Sequence, residues 1–254
     1  IELSEKHLWE AGRGRLYDVR LIFGEDIVES YFGLRSVEYR EGKFLLNGKS
    51  VFQCFALVQG YYPAGVYTPV ALEEMEKDLD IATEFGFNGL RLHQKVFDPY
   101  FLYLCDKRGI MVWGEFPSWG VRYSDLEGLG EFLTEWREVL QRDFNSPSIV
   151  TWCPLNEVWE DLDDGGKTRD VRFVEIVYEF TKKLDSTRPC VDVSGGYHGE
   201  KTDLFDYHDY GNFESLKARI KRLEIENMLY VDKLYAKGEN RFYKRGEAVN
   251  LSEY

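Results

Sequence analysis

The sequence lacks any apolar run of the roughly 20 residues that a membrane-spanning helix needs. Residues 1–5 also lack the basic and apolar regions of a signal peptide. Positive charge is scarce, because 32 Lys and Arg stand against 45 Asp and Glu and give a formal net charge of −13. This balance disfavours nucleic acid and anionic membrane surfaces as partners. We therefore expect a cytoplasmic protein that binds neither nucleic acid nor a membrane.

Cysteine is also scarce, with four residues in a chain of 254. Cys54, Cys105, Cys153 and Cys190 are far apart, no two form a C-x-x-C pair, and each has apolar neighbours. This spacing disfavours a zinc site of the cysteine type. It predicts buried thiols in a reducing compartment.

What the chain does contain is the composition of a globular protein, 44% hydrophobic and 30% charged. Aromatic residues make up 16% of the chain, with 17 Tyr, 17 Phe and 6 Trp. Exposed aromatic faces are typical of sites that bind an amphipathic ligand. The composition therefore hints at a binding site lined by rings.

The first 50 residues consist of short β-like runs at residues 16–23, 36–39 and 43–46. Asn47 and Gly48 follow the last run, and an Asn-Gly pair between apolar runs favours a β-hairpin because both residues accept positive φ. The stretch is predicted to be antiparallel. It is too short for a complete sandwich, so residues 1–40 are predicted to be the C-terminal part of a β-sandwich domain and a linker.

From residue 51 onward, apolar strands alternate with helical segments, which is typical of βα units around a parallel sheet. The predicted strands are residues 51–58, 89–93, 110–116, 149–156, 190–194, 204–208 and 248–253. Helical periodicity links the apolar sets Leu72, Met75, Leu79 and Ala82, then Phe132, Trp136, Leu140 and Phe144, then Val171, Val174, Tyr178 and Thr181. The pair Thr68-Pro69 suits the start of the first helix.

A (β/α)8 barrel typically takes about 250 residues, and here seven strands are visible in residues 51–254. The predicted fold class is therefore α/β, a (β/α)8 TIM barrel over residues 41–254 with about seven of eight units present. We expect the eighth strand to lie beyond Tyr254, and we expect these residues alone to be a poor enzyme.

Chemistry in a parallel barrel takes place where the strands end, at the C-terminal face. The residues at these ends are Gln59, Arg91, His93, Glu115, Asn156, Glu157, His208, Asp209, Tyr210 and Glu253. Glu157 and Glu253 lie at the ends of the fourth and seventh strands and are predicted to face each other across the mouth of the barrel. Two carboxylates in this arrangement can divide the acid and nucleophile roles at a glycosidic bond.

Residues 147–157, with the sequence PSIVTWCPLNE, closely resemble the acid/base signature of glycoside hydrolase family 2. This family holds β-galactosidases, β-glucuronidases and β-mannosidases. Residues 31–35 and 46–49 resemble its junction from an immunoglobulin-like sandwich to the barrel. Residues 79–91 resemble its first helix and second strand, residues 98–106 its second helix, and residues 251–254 its nucleophile strand.

The resemblance implies a retaining β-glycosidase with Glu157 as general acid/base and Glu253 as nucleophile. It also implies that Asn156 holds the sugar 2-hydroxyl and that Arg91 keeps the nucleophile ionised. Further substrate contacts are expected from residues with rings at the mouth, namely His93, His208, Tyr210, Trp119 and Trp159. No cofactor and no metal are expected; the expected partner is a carbohydrate, and a homo-oligomer is allowed.

The chain differs from the archetypal β-galactosidase in two places. The archetype has an Arg-Gly…His pattern after strand one, where this chain has residues 54–61, CFALVQGY, and its second-strand motif is residues 91–95, RLHQK. The resemblance therefore leaves the sugar open. We expect a β-linked, mostly neutral glycoside.

Each assignment has an alternative. Glu157 could be a buried structural carboxylate, and Glu253 could belong to an exposed tail. Arg91 could pair with Glu115 or Asp192 in the core. His and Tyr at strand ends are often structural groups, and the tryptophans could pack in loops. For the whole chain, the alternatives are a carbohydrate-binding barrel without turnover and a retaining glycosidase of another barrel family.

Overall fold

The computed structural model describes residues 2–158, 170–196, 198–226, 243 and 246–254. The chain begins with five strands: β1 (Tyr17–Phe23), β2 (Asp26–Phe32), β3 (Val37–Arg40), β4 (Lys43–Leu46) and β5 (Lys49–Ser50). β1 and β2 form an antiparallel hairpin, and β3, β4 and β5 form an antiparallel sheet. The antiparallel prediction is confirmed, although β2 was not predicted as a strand.

The turn between β4 and β5 is the predicted Asn-Gly hairpin. Asn47 has φ 53° and Gly48 has φ 73°, so both residues adopt the left-handed conformation that such a turn requires. β3 pairs with β4 across the predicted boundary between residues 40 and 41. The assignment of residues 1–40 to a sandwich domain stays a prediction.

Strands and helices then alternate: β6 (Phe55–Val58), α1 (Leu72–Glu84), β7 (Gly89–Leu92), α2 (Pro99–Arg108), β8 (Met111–Glu115), α3 (Leu126–Asp143), β9 (Ile149–Cys153), α4 (Val171–Leu184), β10 (Phe205–His208), α5 (Phe213–Glu226) and β11 (Val249–Glu253). β6, β7, β8 and β9 form one parallel sheet in chain order, and β10 pairs in parallel with β11. The predicted α/β barrel is confirmed.

The predicted fifth barrel strand, residues 190–194, is not a regular strand. It joins the sheet through two single parallel bridges, Trp152 with Cys190 and Asn156 with Ser194. Between these bridges, Val191 donates to the carbonyl of Trp152 and Ser194 to that of Leu155. Residues 190–194 therefore occupy the fifth strand position next to β9, where they hold the backbone that carries Asn156.

The helices follow the predicted periodicity, with a shift at one end. α1 buries Met75, Leu79 and Ala82, but its N-cap is Ala71, so the predicted start at Thr68-Pro69 is too early. The reason is that Glu74 reaches back and accepts from the backbone N–H of Val70 at 2.8 Å. This side chain satisfies a free donor at the first turn, as a capping residue does.

The core has two parts. One cluster lies between the helices and the outer faces of the barrel strands, with Trp136, Leu79 and Phe101 fully buried. The second cluster packs Trp9, Val37, Phe44 and Leu46 from the N-terminal segment against the beginnings of the barrel strands, namely Met111, Val150, Leu204 and Ala248. The N-terminal segment thus covers one end of the barrel, and the strand ends with the candidate site lie at the other.

All four cysteines are free thiols, and Cys105, Cys153 and Cys190 are buried as predicted. Cys54 is exposed, which corrects the prediction for that residue. The cause is its position just before β6, for which the described residues provide one partner strand, β7. Among the described helices, none is both long and apolar enough to cross a membrane.

Candidate active site

Arg91 is the centre of the site. Its side chain is buried on β7, where Nη1 donates to Glu253 Oε1 at 2.8 Å and Nη2 donates to Asn156 Oδ1 at 2.7 Å. Its Nε donates to Glu115 Oε1. Asp192 bonds His198 instead, at 2.6 Å. Arg91 is therefore both the core ion-pair partner of Glu115 and the partner of the predicted nucleophile.

The charges around Arg91 compensate one another. Burial alone lowers the pKa of Arg91, but the facing carboxylates, Glu115 foremost, raise it above its usual range. Burial alone raises the pKa of Glu115, and Arg91 and His93 together lower it below its ordinary value. Both groups are thus charged at neutral pH, and Arg91 remains a permanent cation beside Glu253.

We expect Glu115→Ala to lower the free energy of unfolding by about 3 kcal/mol, because removing one partner of a buried pair leaves the other charge undercompensated. Because the pKa of Glu115 is lowered on folding, its contribution is present at neutral pH and is lost as the pH falls through the folded-state value. Urea unfolding at pH 7 measures the change. The control is Glu127→Ala, which removes an exposed ion pair with Arg122 at 3.7 Å and should change stability by less than about 0.5 kcal/mol. Equal small losses in both variants would contradict this account.

Glu253, at the end of β11, receives a donor on each carboxylate oxygen. Arg91 donates to Oε1 at 2.8 Å and the hydroxyl of Tyr210 donates to Oε2. The backbone N–H of Asp209 also donates to the carbonyl of Glu253 at 3.0 Å, which fixes the end of the strand. Both carboxylate oxygens are thus acceptors, which fixes the orientation of the carboxyl group. Glu253 therefore has the environment that a carboxylate nucleophile needs.

Glu157 lies just beyond β9 in a strained conformation. Its φ is 44°, in the left-handed region that costs a non-glycine residue about 1 kcal/mol or more. Its N–H donates to the carbonyl of Ser194 at 2.8 Å, and its Oε1 lies 2.6 Å from Nδ1 of His208. These bonds to residues outside β9 hold the turn that aims the carboxyl group into the mouth.

The two predicted catalytic carboxyls lie close together. One oxygen of Glu157, one of Glu253 and a ring nitrogen of His208 all lie within 4.8 Å of one another. The Nε2 atom of His208 lies 3.4 Å from Glu253 Oε1. A separation of about 5 Å is typical of carboxyl pairs in which one attacks the sugar directly, since no water fits between them.

Asn156 presents an unused donor in the same place. The side chain is 1% exposed, and its Oδ1 is occupied by Arg91. Its Nδ2 has no hydrogen-bond partner among the described residues. A buried polar group without a partner is uncommon in folded proteins. The described residues therefore leave this donor unsatisfied, on the residue next to Glu157.

Of the other predicted contacts, His93 and Trp119 line one cleft. In His93, Nδ1 forms a hydrogen bond with Oε2 of Glu115 at 3.1 Å, and Nε2 lies 3.9 Å from Oε1 of Glu253. Trp119 is 65% exposed and lines an open cleft with His93, Gln94, Tyr61 and Tyr67. Trp159 falls outside the described residues.

His208, predicted as a sugar contact, has protein groups facing both of its ring nitrogens. The ring is 1% exposed, and its two nitrogens face Glu157 and the Oγ of Ser194, at 2.6 and 3.1 Å. Protein groups thus face both nitrogens, because β10 directs this side chain inward beneath the mouth. Sequence reasoning also missed Ser194, Ser252 and Asp206, for which the available signal was only that they lie at or near predicted strand ends.

The comparisons with known proteins agree with this fold. The family model for glycosyl hydrolases family 2, TIM barrel domain, matches residues 37–234. The chain therefore belongs to glycoside hydrolase family 2.

The relatives in this family carry several substrate names. The β-glucuronidase of Pongo abelii is 28% identical over 208 residues, which cover 74% of this chain and 30% of that protein. The β-galactosidase of Thermoanaerobacter pseudethanolicus is 30% identical over 226 residues, which cover 83% of this chain and 28% of that protein. The chain thus spans under a third of the length of these two relatives.

Among solved structures, the β-D-glucuronidase from Dictyoglomus thermophilum matches with a TM-score of 0.73 and 22% identity, covering 87% of this chain and 42% of that one. A family 2 β-galacturonidase from Eisenbergiella tayi, bound to galacturonate, matches with a TM-score of 0.70 and 21% identity, covering 89% and 43%. At these identities the likeness concerns the fold.

Proposed function

We propose that the protein is a retaining β-glycosidase that removes a terminal β-linked sugar, with Glu157 as general acid/base and Glu253 as nucleophile. The observation that carries this proposal is the carboxyl pair within 4.8 Å, in which each member has a different environment. Glu253 is bound by the cation Arg91 and by Tyr210, while Glu157 is bound by a histidine. Different environments assign different protonation roles to two neighbouring carboxyls.

In the first step, Glu253 attacks the anomeric carbon and forms an ester, and the bond from that carbon to the leaving-group oxygen breaks. The proton on Glu157 passes to that oxygen, so the aglycone departs as a neutral alcohol. In the second step, the Glu157 carboxylate takes a proton from water while the water oxygen attacks the anomeric carbon. The ester bond breaks and Glu253 is restored as a carboxylate.

The unpaired amide nitrogen of Asn156 supports the proposed contact to the sugar 2-hydroxyl, since it is a buried donor on the residue before Glu157, whose amide oxygen is held by the same Arg91 that binds Glu253. A hydrogen bond to this hydroxyl strengthens as charge develops on the sugar ring, which lowers the barrier. The exposed ring of Trp119 supplies an apolar face at the mouth against which a sugar can stack.

The proposed sugar is neutral, as in the β-galactosidase among the relatives. A cation is the strongest partner for a uronate carboxylate, and two described cations, Arg91 and Lys95, already donate to protein acceptors. Arg91 binds Glu115, Glu253 and Asn156, and Lys95 donates to the carbonyls of Gly60 and Tyr67, both at 2.5 Å.

A panel of nitrophenyl β-glycosides tests this proposal on the intact protein. We expect the β-galactoside to be hydrolysed with a kcat/KM at least about tenfold above that of the β-glucuronide and the β-galacturonide, because an unpaired carboxylate at this mouth loses its hydration without gaining a partner. Proton NMR of the first-formed sugar is expected to show the β-anomer. Inversion would overturn the double displacement, absence of turnover on the whole panel would favour a carbohydrate-binding barrel, and a preference for a uronide would overturn the neutral sugar.

A further inference from the structure

Behind Glu157 lies a buried set of polar groups that direct catalysis does not use. It consists of His208, Ser194, Ser252 and Asp206, which we call the Asp206 network. Asp206, Ser194 and His208 are each at most 1% exposed. Their hydrogen bonds run from the carboxylate of Asp206 to Ser194, then to the ring of His208, and from that ring to Glu157.

The carboxylate of Asp206 determines where the serine protons lie. Its Oδ2 faces the hydroxyls of Ser194 at 2.7 Å and Ser252 at 2.6 Å and the N–H of Gly195 at 3.1 Å, while Oδ1 accepts from Asn250 at 2.7 Å. An ionised carboxylate has no proton and can only accept. Hydrogen bonds to a charged acceptor are shorter and stronger than those to a neutral one. Oγ of Ser252 also lies 3.0 Å from Oγ of Ser194. Because the carboxylate is the stronger acceptor, the single hydroxyl proton of Ser194 points at Asp206.

The orientation of that hydroxyl fixes the proton on His208. Because the Ser194 hydroxyl donates its proton in the hydrogen bond to Asp206, its oxygen presents only lone pairs to Nε2 of His208, 3.1 Å away. The carboxylate of Glu253, itself held by Arg91, also faces Nε2 at 3.4 Å and can only accept. Two acceptors facing the same nitrogen require Nε2 to carry a proton, and the neutral ring then has a lone pair on Nδ1.

We propose that Ser194 and Asp206 are positioning residues that hold His208 with its proton on Nε2, so that Nδ1 accepts the acidic proton of Glu157. Glu157 Oε1 lies 2.6 Å from Nδ1. If Glu157 were ionised, two acceptors would face each other without a proton between them, whereas protonated Glu157 donates a hydrogen bond to Nδ1. The opposite tautomer would donate to Glu157 and stabilise its ionised form. The Asp206 network thus keeps the proton on the group that must deliver it to the leaving group, a role that rests on the function proposed above.

The position of the proton can be measured without any activity. The chain has four histidines, so NMR of protein labelled with ¹⁵N-histidine gives few ring-nitrogen signals. The signals of His208 are identified by their loss in His208→Gln. At neutral pH we expect a protonated Nε2 and an unprotonated Nδ1. A proton on Nδ1 in the resting protein would overturn the proposal even if the protein proves to be a glycosidase. The expected signals without turnover would uphold it while the proposed function fails.

Two serine variants form a matched pair. Ser194→Ala removes the hydroxyl that faces His208, whereas Ser252→Ala removes a hydroxyl with the same bond to Asp206 but with none to His208. We expect Ser194→Ala to increase the population with the proton on Nδ1. The alkaline limb of kcat/KM for an alkyl glycoside should also move down by about half a pH unit, because ionised Glu157 gains a donor. Ser252→Ala should leave both readouts in place, and Ser194→Thr should restore them.

The groups that face His208 besides Ser194 are Glu157, Glu253 and the ring of Tyr210, 6.1 Å away between centroids. All three are unchanged in the serine variants, so a shift specific to Ser194→Ala reports the lost acceptor. Thermal unfolding verifies that each variant folds, and the wild-type spectrum decides alone if Ser194→Ala does not. Equal shifts in both alanine variants, or no shift in either, would overturn the proposal.

Discussion

Glu157→Gln is expected to reduce kcat/KM for alkyl β-glycosides by on the order of 10² to 10⁴, the contribution that general acid catalysis typically makes. The substitution keeps the shape of the side chain but removes the proton that protonates the leaving group. In an aryl glycoside, an acidic phenol can leave as the phenolate without being protonated. The first step of its hydrolysis should therefore be slowed far less. Steady-state rates on a series of aryl and alkyl glycosides measure this dependence.

The control for fold and sugar binding is inhibition by a non-hydrolysed sugar analogue, whose Ki should change little in Glu157→Gln. The matched variant is Glu127→Gln, which changes an exposed carboxylate on α3. It should keep wild-type rates on every substrate. Equal losses on activated and unactivated substrates would remove Glu157 from the acid role.

Glu253→Ala is expected to lose on the order of 10⁴-fold or more of kcat on every substrate, because no intermediate can form without the nucleophile. Added azide fits the space left by the carboxylate and can attack the anomeric carbon from the same side. With a good leaving group, the expected product is therefore the α-glycosyl azide. Proton NMR of this product measures its anomeric configuration.

The corresponding variant Glu157→Ala provides the contrast. There Glu253 still forms the ester, azide attacks in the second step, and the product should be the β-glycosyl azide. In the wild-type protein, an activated 2-deoxy-2-fluoro glycoside should leave a stable ester that mass spectrometry locates on Glu253. A label on Glu115 or Asp209, or azides with the opposite configurations, would overturn the pairing of Glu157 with Glu253.

Some features followed from local pattern in the sequence. The Asn47-Gly48 hairpin depends on residues that tolerate positive φ, and the buried faces of α1 and α3 depend on apolar residues at helical spacing. The strand ends at Arg91, Asn156 and Glu253 followed from the alternation of strands and helices. Local signals of this kind are complete within a few residues, so they can be read before the chain is folded.

Two predictions failed where the cause lay outside the local sequence. Cys54 has apolar neighbours in the chain, yet it is exposed, because within the described part of the chain β6 pairs with β7 alone. Residues 190–194 have the composition of a buried strand, yet they join β9 by single bridges. In both cases the outcome depends on which segments pack alongside, and composition does not contain that information.

The sequence by itself determined the class of fold and the candidate carboxyls, because parallel strands place their C-terminal residues at one mouth. Only the tertiary structure decided which of these groups form hydrogen bonds with one another. Arg91 reaches Glu115, Glu253 and Asn156 together, across as many as 162 positions of sequence. Ser194 and Asp206 reach Glu157 only through the ring of His208. A hydrogen bond forms only when donor and acceptor are placed to within a few tenths of an ångström, and that placement exists only once the strands have packed.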